Sequence, residues 1–351
     1  MFSLGGNAMN PFETMFGREP KEYIHREEET EKIIKTFDDE SSLVYLITGV
    51  RGSGKTVLLS HVSKIINERN DWIVIDLNPE QDLLSSLVSK LYVKAGVSKL
   101  FIKKNLSLSF GQISLTLTSG ELLTDSESIL EVMLKDLKKR NKKLLITIDE
   151  VSNNSQMKVF VHSYQSLVRQ DFPVYLLMTG LYENIQSLQN EKTLTFLYRA
   201  PRIALSKLNN ISIYYSYLHV FLNAKLAEDM TKCVSGYAFA YQLLGKIVYE
   251  SQLDTLCDEI LNFFDKEISE YCYSKIWSEC NETDKKIIKA ICSTDGSNAQ
   301  IMNVLQFDKS KLSVYRDRLI KKGLVESSSR GYLSLTLPRF DQYIKICDMF
   351  D

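Results

Sequence analysis

The sequence predicts an α/β protein with a mostly parallel sheet, followed by a helical region and a smaller, more basic module at its C-terminal end. Three observations predict this. Apolar runs of strand length (Leu43 to Thr48, Trp72 to Leu77, Leu144 to Ile148, Val174 to Met178) alternate with helical stretches, and repeated β-α-β builds a parallel sheet with helices on both faces. From about Lys207 to Cys280 the strand signals stop and helical patterns take over. From Glu282 a different, more basic pattern begins.

At 351 residues and 44% apolar content the chain is long enough for two or three domains with real cores. A formal net charge of -1 gives no global attraction to nucleic acid or anionic membrane, so any such binding has to come from a local patch. The six cysteines include no C-x-x-C pair, and the four histidines are far apart, so reduced thiols and no metal site built on these residues are expected. Met1 to Asn10 lacks a basic region followed by an apolar one, and no run approaches the ~18 apolar residues of a membrane span. A cytoplasmic protein without membrane association is the expectation.

In chain order, residues 1–40 read as a polar arm, punctuated by Pro11, Gly17 and Pro20, that turns helical at Arg26 to Phe37. Residues 41–206 form the core. There Thr56 to Glu68 is a helix, and Asn78 can cap another whose first position is Pro79. Leu106 to Thr118, alternating around Phe110-Gly111, reads as an inserted hairpin. Helices are expected at Ser126 to Arg140 and Gln156 to Arg169, and a fifth strand at Arg202 to Leu205. Residues 207–280 are a helical region, and 281–351 the C-terminal module.

Gly49-Val50-Arg51-Gly52-Ser53-Gly54-Lys55-Thr56 fits the phosphate-loop pattern G-x-x-x-x-G-K-[ST] at every fixed position, between a strand and a helix. Glycines let the backbone curl so that successive N–H groups point at phosphate oxygens, and the helix adds its positive end. Lys55 would bridge the β- and γ-phosphates of ATP, and Thr56 would offer its hydroxyl to Mg²⁺. The nucleotide-binding set is Gly49, Arg51, Gly52, Ser53, Gly54, Lys55, Thr56 and Val57.

Leu144 to Ile148 ends in Asp149-Glu150. After such a loop, an Asp at a strand end completes the Mg²⁺ shell and the adjacent Glu orients and deprotonates the attacking water, which predicts hydrolysis. Thr179, ending another apolar strand, would face the γ-phosphate, or is a strand-terminal threonine without a ligand. Arg199 and Arg202 could reach a phosphate on the same or a neighbouring subunit, or are solvated surface residues. The candidate catalytic residues are therefore Lys55, Glu150, Thr179 and Arg199.

Together these residues resemble the AAA+/STAND branch of P-loop ATPases, in particular the archaeal-ATPase family and the origin-recognition ATPases with a C-terminal winged helix. The resemblance rests on Ile24-His25-Arg26-Glu27-Glu28-Glu29, the two nucleotide motifs, Thr179, Arg199, and Gly236 to Gly245 in the helical lid. His25 stands where that family has Gly, and Ala238 where it has Pro near the adenine. The resemblance implies a sheet order of 5-1-4-3-2, ATP between core and lid, and a slow switch that closes on ATP and resets on hydrolysis. It admits a homo-oligomer in which a neighbour supplies an Arg.

In the last module, helices at Glu282 to Ser293, Ala299 to Gln306 and Lys309 to Lys322, the last ended by Gly323, precede a turned ribbon, which makes a winged helix. From Lys309 to Arg339 eight basic residues face two acids, a local excess of +6. Ser310, Ser313, Tyr315 and Arg316 could enter the major groove of duplex DNA, with Arg330 on the wing. The alternatives are an ATP-dependent signalling switch with a protein partner, and a DNA-binding regulator that holds ATP without hydrolysing it.

Overall fold

The computed structural model describes residues 10–15, 20–94, 105–109, 112–116, 122–192 and 194–349. The expectations for the first nine residues and for the Phe110-Gly111 turn lie outside them. The chain divides into two compact units, one of residues 26–48 and 58–203, the other of 1–25, 49–57 and 204–351.

The first unit holds α1 (Glu27–Asp38), β1 (Val44–Thr48), most of α2 (Lys55–Asn67), β2 (Trp72–Leu77) and α3 (Leu83–Val93). The inserted strands β3 (Asn105–Ser109), β4 (Gln112–Thr116) and β5 (Leu122–Leu123) come next. Then follow α4 (Ser126–Lys139), β6 (Lys143–Ile148), α5 (Ser155–Arg169), β7 (Val174–Gly180), α6 (Tyr182–Gln189), α7 (Thr195–Tyr198) and β8 (Arg202–Ala204). β2, β6, β7 and β1 pair in parallel in that order, with β8 beyond β1. Counting these five strands along the chain, the order is 2-3-4-1-5, the implied order read from the other edge.

All of β1 and β7 is buried, as expected of parallel strands covered on both faces, which read as continuous apolar runs. Side chains of Asp82, Asp125 and Asn154 accept backbone N–H groups at the starts of α3, α4 and α5, satisfying donors that have no intrahelical partner. On the edge strand β2, the ammoniums of Lys90 and Lys94 donate to the carbonyls of Asp76 and Val74, which blunts an edge that would otherwise accept another strand. β3 and β4 pair antiparallel as the alternation predicts, and β5 extends them to a three-stranded sheet.

The second unit contains α8 (Asn210–Phe221), α9 (Ala224–Val234), α10 (Ala238–Ser251), α11 (Asp258–Ile268), a π-helical turn (Ser269–Tyr273) and α12 (Ser274–Glu279). It continues through α13 (Glu282–Ser293), α14 (Asn298–Leu305), α15 (Lys309–Lys322), β9 (Val325–Ser329), β10 (Tyr332–Leu335) and α16 (Phe340–Asp348). One continuous apolar core runs through it, from Phe12 to Ile344. The antiparallel ribbon β9-β10 follows the three helices α13, α14 and α15, and Gly323 ends α15 in the left-handed conformation, φ 77°.

The arm is built into this core. Phe12, 3% exposed, packs against the rings of Tyr217, Phe221 and Tyr241 at 5.7–5.9 Å. A Cβ on Gly245 would sit 2.5 Å from the Phe12 ring, which explains the glycine in α10. The Gln242 side chain accepts from the Glu13 N–H at 3.0 Å and donates to the Glu22 carbonyl at 2.7 Å.

Candidate functional site

The phosphate loop leaves β1 and enters α2 at Lys55. Gly52 and Gly54 adopt φ of 76° and 92°, values that L side chains resist and that let consecutive peptide N–H groups converge. Lys55 is 7% exposed, and its ammonium donates to the carbonyls of Gly49 at 3.0 Å and Val50 at 3.1 Å. The 236–245 segment meets the loop from outside: the Tyr237 hydroxyl donates to the Arg51 carbonyl at 2.6 Å, and the Phe239 N–H to the Gly52 carbonyl at 3.0 Å. A Cβ on Gly52 would lie 2.3 Å from the Tyr237 hydroxyl. Ala238, at the position where the resembling family has Pro, lies near Gly54, 3.8 Å from where its Cβ would be.

These residues fit a phosphate chain. The loop carbonyls of Arg51 and Gly52 are engaged by protein donors, the two glycines hold the positive φ that turns the loop N–H groups together, and one ammonium is held at the loop itself.

In the other unit, Asp149 and Glu150 follow β6, and Thr179, fully buried, sits near the end of β7. The Thr179 hydroxyl donates to Asp149 Oδ1 and accepts the Glu150 N–H at 3.2 Å. The Thr179 carbonyl accepts the Val151 N–H at 2.9 Å. Glu150 has φ 51°, a left-handed conformation uncommon for a side chain of its size. Beside them on β2, burial raises the Asp76 carboxyl above the ordinary Asp range, and Asp149 pushes it the same way, against a 3.0 Å hydrogen bond from Thr147.

Arg199 is elsewhere. It lines a cavity of about 420 Å³ with Ser41, Ser42, Leu43 and Val44, at the starting edge of β1. Asp149, Glu150 and Thr179 stand at the finishing edge of the same parallel sheet, so a five-residue strand at about 3.3 Å per residue separates them. Arg202 is exposed, over the Tyr182 ring at 5.3 Å.

In the C-terminal region, part of the basic excess is internal. Asp284, wholly buried, binds Lys322 at 2.7 Å and also Arg318. Arg339 pairs with Asp265 at 2.5 Å. Lys309, Lys311, Lys321 and Arg330 are exposed, and so are Val304, Val314 and Ile320.

The ion pair of Arg51 with Glu279, at 3.1 Å, and the Phe12 seat carry no signal of spacing or periodicity that marks them in the sequence, and Tyr237 is marked only as part of the 236–245 segment.

A parallel sheet of order 2-3-4-1-5, with a glycine-rich loop and Lys55 directly after its first strand and two acids after β6, which β7 separates from that strand, defines a P-loop ATPase fold. Residues 23–197 match the family described as an ATPase domain predominantly from Archaea, and residues 270–344 match a domain of unknown function, DUF8462. That first segment, just under half of the chain, is similar to this archaeal-type ATPase domain family. No curated protein matches the chain. Among solved structures it is similar to the Walker-type ATPase PABY2304 of Pyrococcus abyssi, at 15% identity and TM-score 0.60 over 92% of this chain and 96% of that one. It is also similar to the ORC2 protein of Aeropyrum pernix in its ADPNP-ADP complexes, at 14% identity and TM-score 0.57 over 96% and 98%. No helix among the described residues is long and apolar enough to cross a membrane.

Proposed function

We propose that this chain is a cytoplasmic ATPase that binds ATP with Mg²⁺, hydrolyses it slowly, and uses the nucleotide state to control a C-terminal winged helix acting on duplex DNA. The observation that carries the reading is the phosphate loop itself, with Gly52 and Gly54 at positive φ and Lys55 held against the loop carbonyls. Nucleotide complexes of the similar ORC2 protein support it. In this reading the arm is 1–40, the ATPase core 41–206, the lid 207–280 and the winged helix 281–351.

Gly49, Arg51, Gly52, Ser53, Gly54, Thr56 and Val57 would surround the phosphates, and Lys55 would move from its carbonyls to the β- and γ-phosphates. Thr56 and Asp149 would hold Mg²⁺, which supplies charge neutralisation on the transferring phosphoryl group. Glu150 would take the proton of the attacking water. Arg199, on the starting edge of the sheet, suits a neighbouring copy's nucleotide better than its own.

A protein partner is the second reading, favoured by the exposed Val304, Val314 and Ile320 on and beside α15. Steady-state ATP hydrolysis with and without mixed duplex DNA tests both. Turnover stimulated by DNA and lost in Glu150→Gln supports the first reading, and turnover indifferent to DNA supports the second. No turnover in any sample refutes hydrolysis by this chain.

A further inference from the structure

The phosphate loop carries contacts that phosphate chemistry does not require. Arg51 occupies a variable position of the motif, yet its guanidinium pairs at 3.1 Å with Glu279, the last residue of α12 and 228 residues along the chain. Val50, also variable, packs against Gly323, where an added Cβ would lie 3.6 Å from the Val50 Cβ and 3.7 Å from its backbone nitrogen. The ends of α12 and α15 thus rest on two consecutive loop residues. The Val50 carbonyl is at the same time an acceptor of the Lys55 ammonium.

We propose that Glu279 and Gly323 are positioning residues of the phosphate loop, through which the C-terminal region opposes nucleotide binding. They hold Val50-Arg51 in the orientation that keeps Lys55 on the Val50 carbonyl. A phosphate competes with that carbonyl for the Lys55 ammonium; as the ammonium is drawn off, the carbonyl loses a charged donor, the 50–51 peptide reorients and both seats shift with it. Coupling is reciprocal: a phosphate that loosens the seats is bound more tightly once the seats are released. A ligand that draws α15 away would then raise ATP affinity. The inference rests on the ATP reading of the loop and adds its regulation.

The test is binding of a fluorescent ATP analogue to the full chain, with turnover alongside. Glu279→Gln should tighten binding about two- to fivefold, the scale of a partly exposed ion pair. KM should fall with kcat unchanged. In an Arg51→Gln background the same substitution should do nothing further, because the two act through one contact. In the unsubstituted chain, the Gly323 amide, bonded to the Ile320 carbonyl, should exchange faster with the analogue bound. Unchanged or weaker binding in Glu279→Gln, equal effects in both backgrounds, or unaltered exchange at Gly323 overturns the proposal. A chain that binds no analogue at all removes the ATP reading as well, whereas binding without coupling removes only this inference.

Discussion

Replacing Thr179 with valine keeps the shape of the side chain and deletes one hydroxyl that serves both acids. That hydroxyl donates to Asp149 and accepts the N–H of Glu150. A hydrogen bond to a charged group contributes about 1.5–3 kcal/mol, and a buried N–H left without a partner costs about 1–3 kcal/mol. The left-handed backbone of Glu150 costs roughly a further 1–2 kcal/mol that these contacts offset. Taking only the lower ends of the two hydrogen-bond terms, about 2.5 kcal/mol, kcat should fall roughly seventyfold at 1.36 kcal/mol per decade.

Turnover measured against both ATP and Mg²⁺ separates this from direct sensing of the γ-phosphate. Loss of the Asp149 contact should raise the Mg²⁺ requirement, and Thr179→Ser, which keeps the hydroxyl, should restore most of the rate. A Thr179→Val enzyme with kcat within twofold of the parent refutes the argument. So does one whose rate falls while its Mg²⁺ requirement stays put.

Two further outcomes follow from the second unit. Phe12→Ala removes a ring that is 3% exposed among three aromatic side chains and should cost about 3–5 kcal/mol in urea denaturation; a loss below about 1 kcal/mol would mean the arm is not part of the core. Burial pushes the Cys233 and Cys292 thiols up to about 11 and raises Cys272 as well. Because the thiolate is the reactive form and a raised pKa depletes it, a disulfide reagent at pH 8 should label these three slowly until the chain is unfolded, and rapid labelling of all six cysteines in the folded chain would contradict that.

What the sequence made legible divides along physical lines. β1, β6 and β7 announce themselves because strands buried on both faces need near-continuous apolar runs, β2 because five of its six residues are still buried apolar ones around Asp76, and the phosphate loop because its chemistry fixes both residue type and spacing. β5, two residues long, has no room for an alternation. The Tyr237–Arg51 and Arg51–Glu279 contacts span 186 and 228 residues, and nothing local encodes a partner at that distance. Arg199 is an intermediate case. It precedes β8 by three positions, and in an all-parallel sheet a residue just before a strand lies at the starting edge, whereas Asp149 just after one lies at the finishing edge. Its separation from Asp149 therefore follows from topology alone.

The charge of the C-terminal module shows how far counting misleads. Of the eight bases between Lys309 and Arg339, Arg318 and Lys322 are spent on Asp284, and Arg339 on Asp265, two acids that lie outside that stretch of sequence. Arg316 pairs with its neighbour Asp317 at 3.0 Å. The four exposed bases Lys309, Lys311, Lys321 and Arg330 set the electrostatic reach of the surface. With about 0.9 counterions released per phosphate contact, they limit the salt dependence of duplex binding to a log-log slope of roughly -4. A steeper slope would need cations from elsewhere in the chain or from a second copy. An absent slope would leave Val304, Val314 and Ile320 as the features of this face that a partner can use, because an apolar surface gains from burial against protein and gains little on a phosphate backbone.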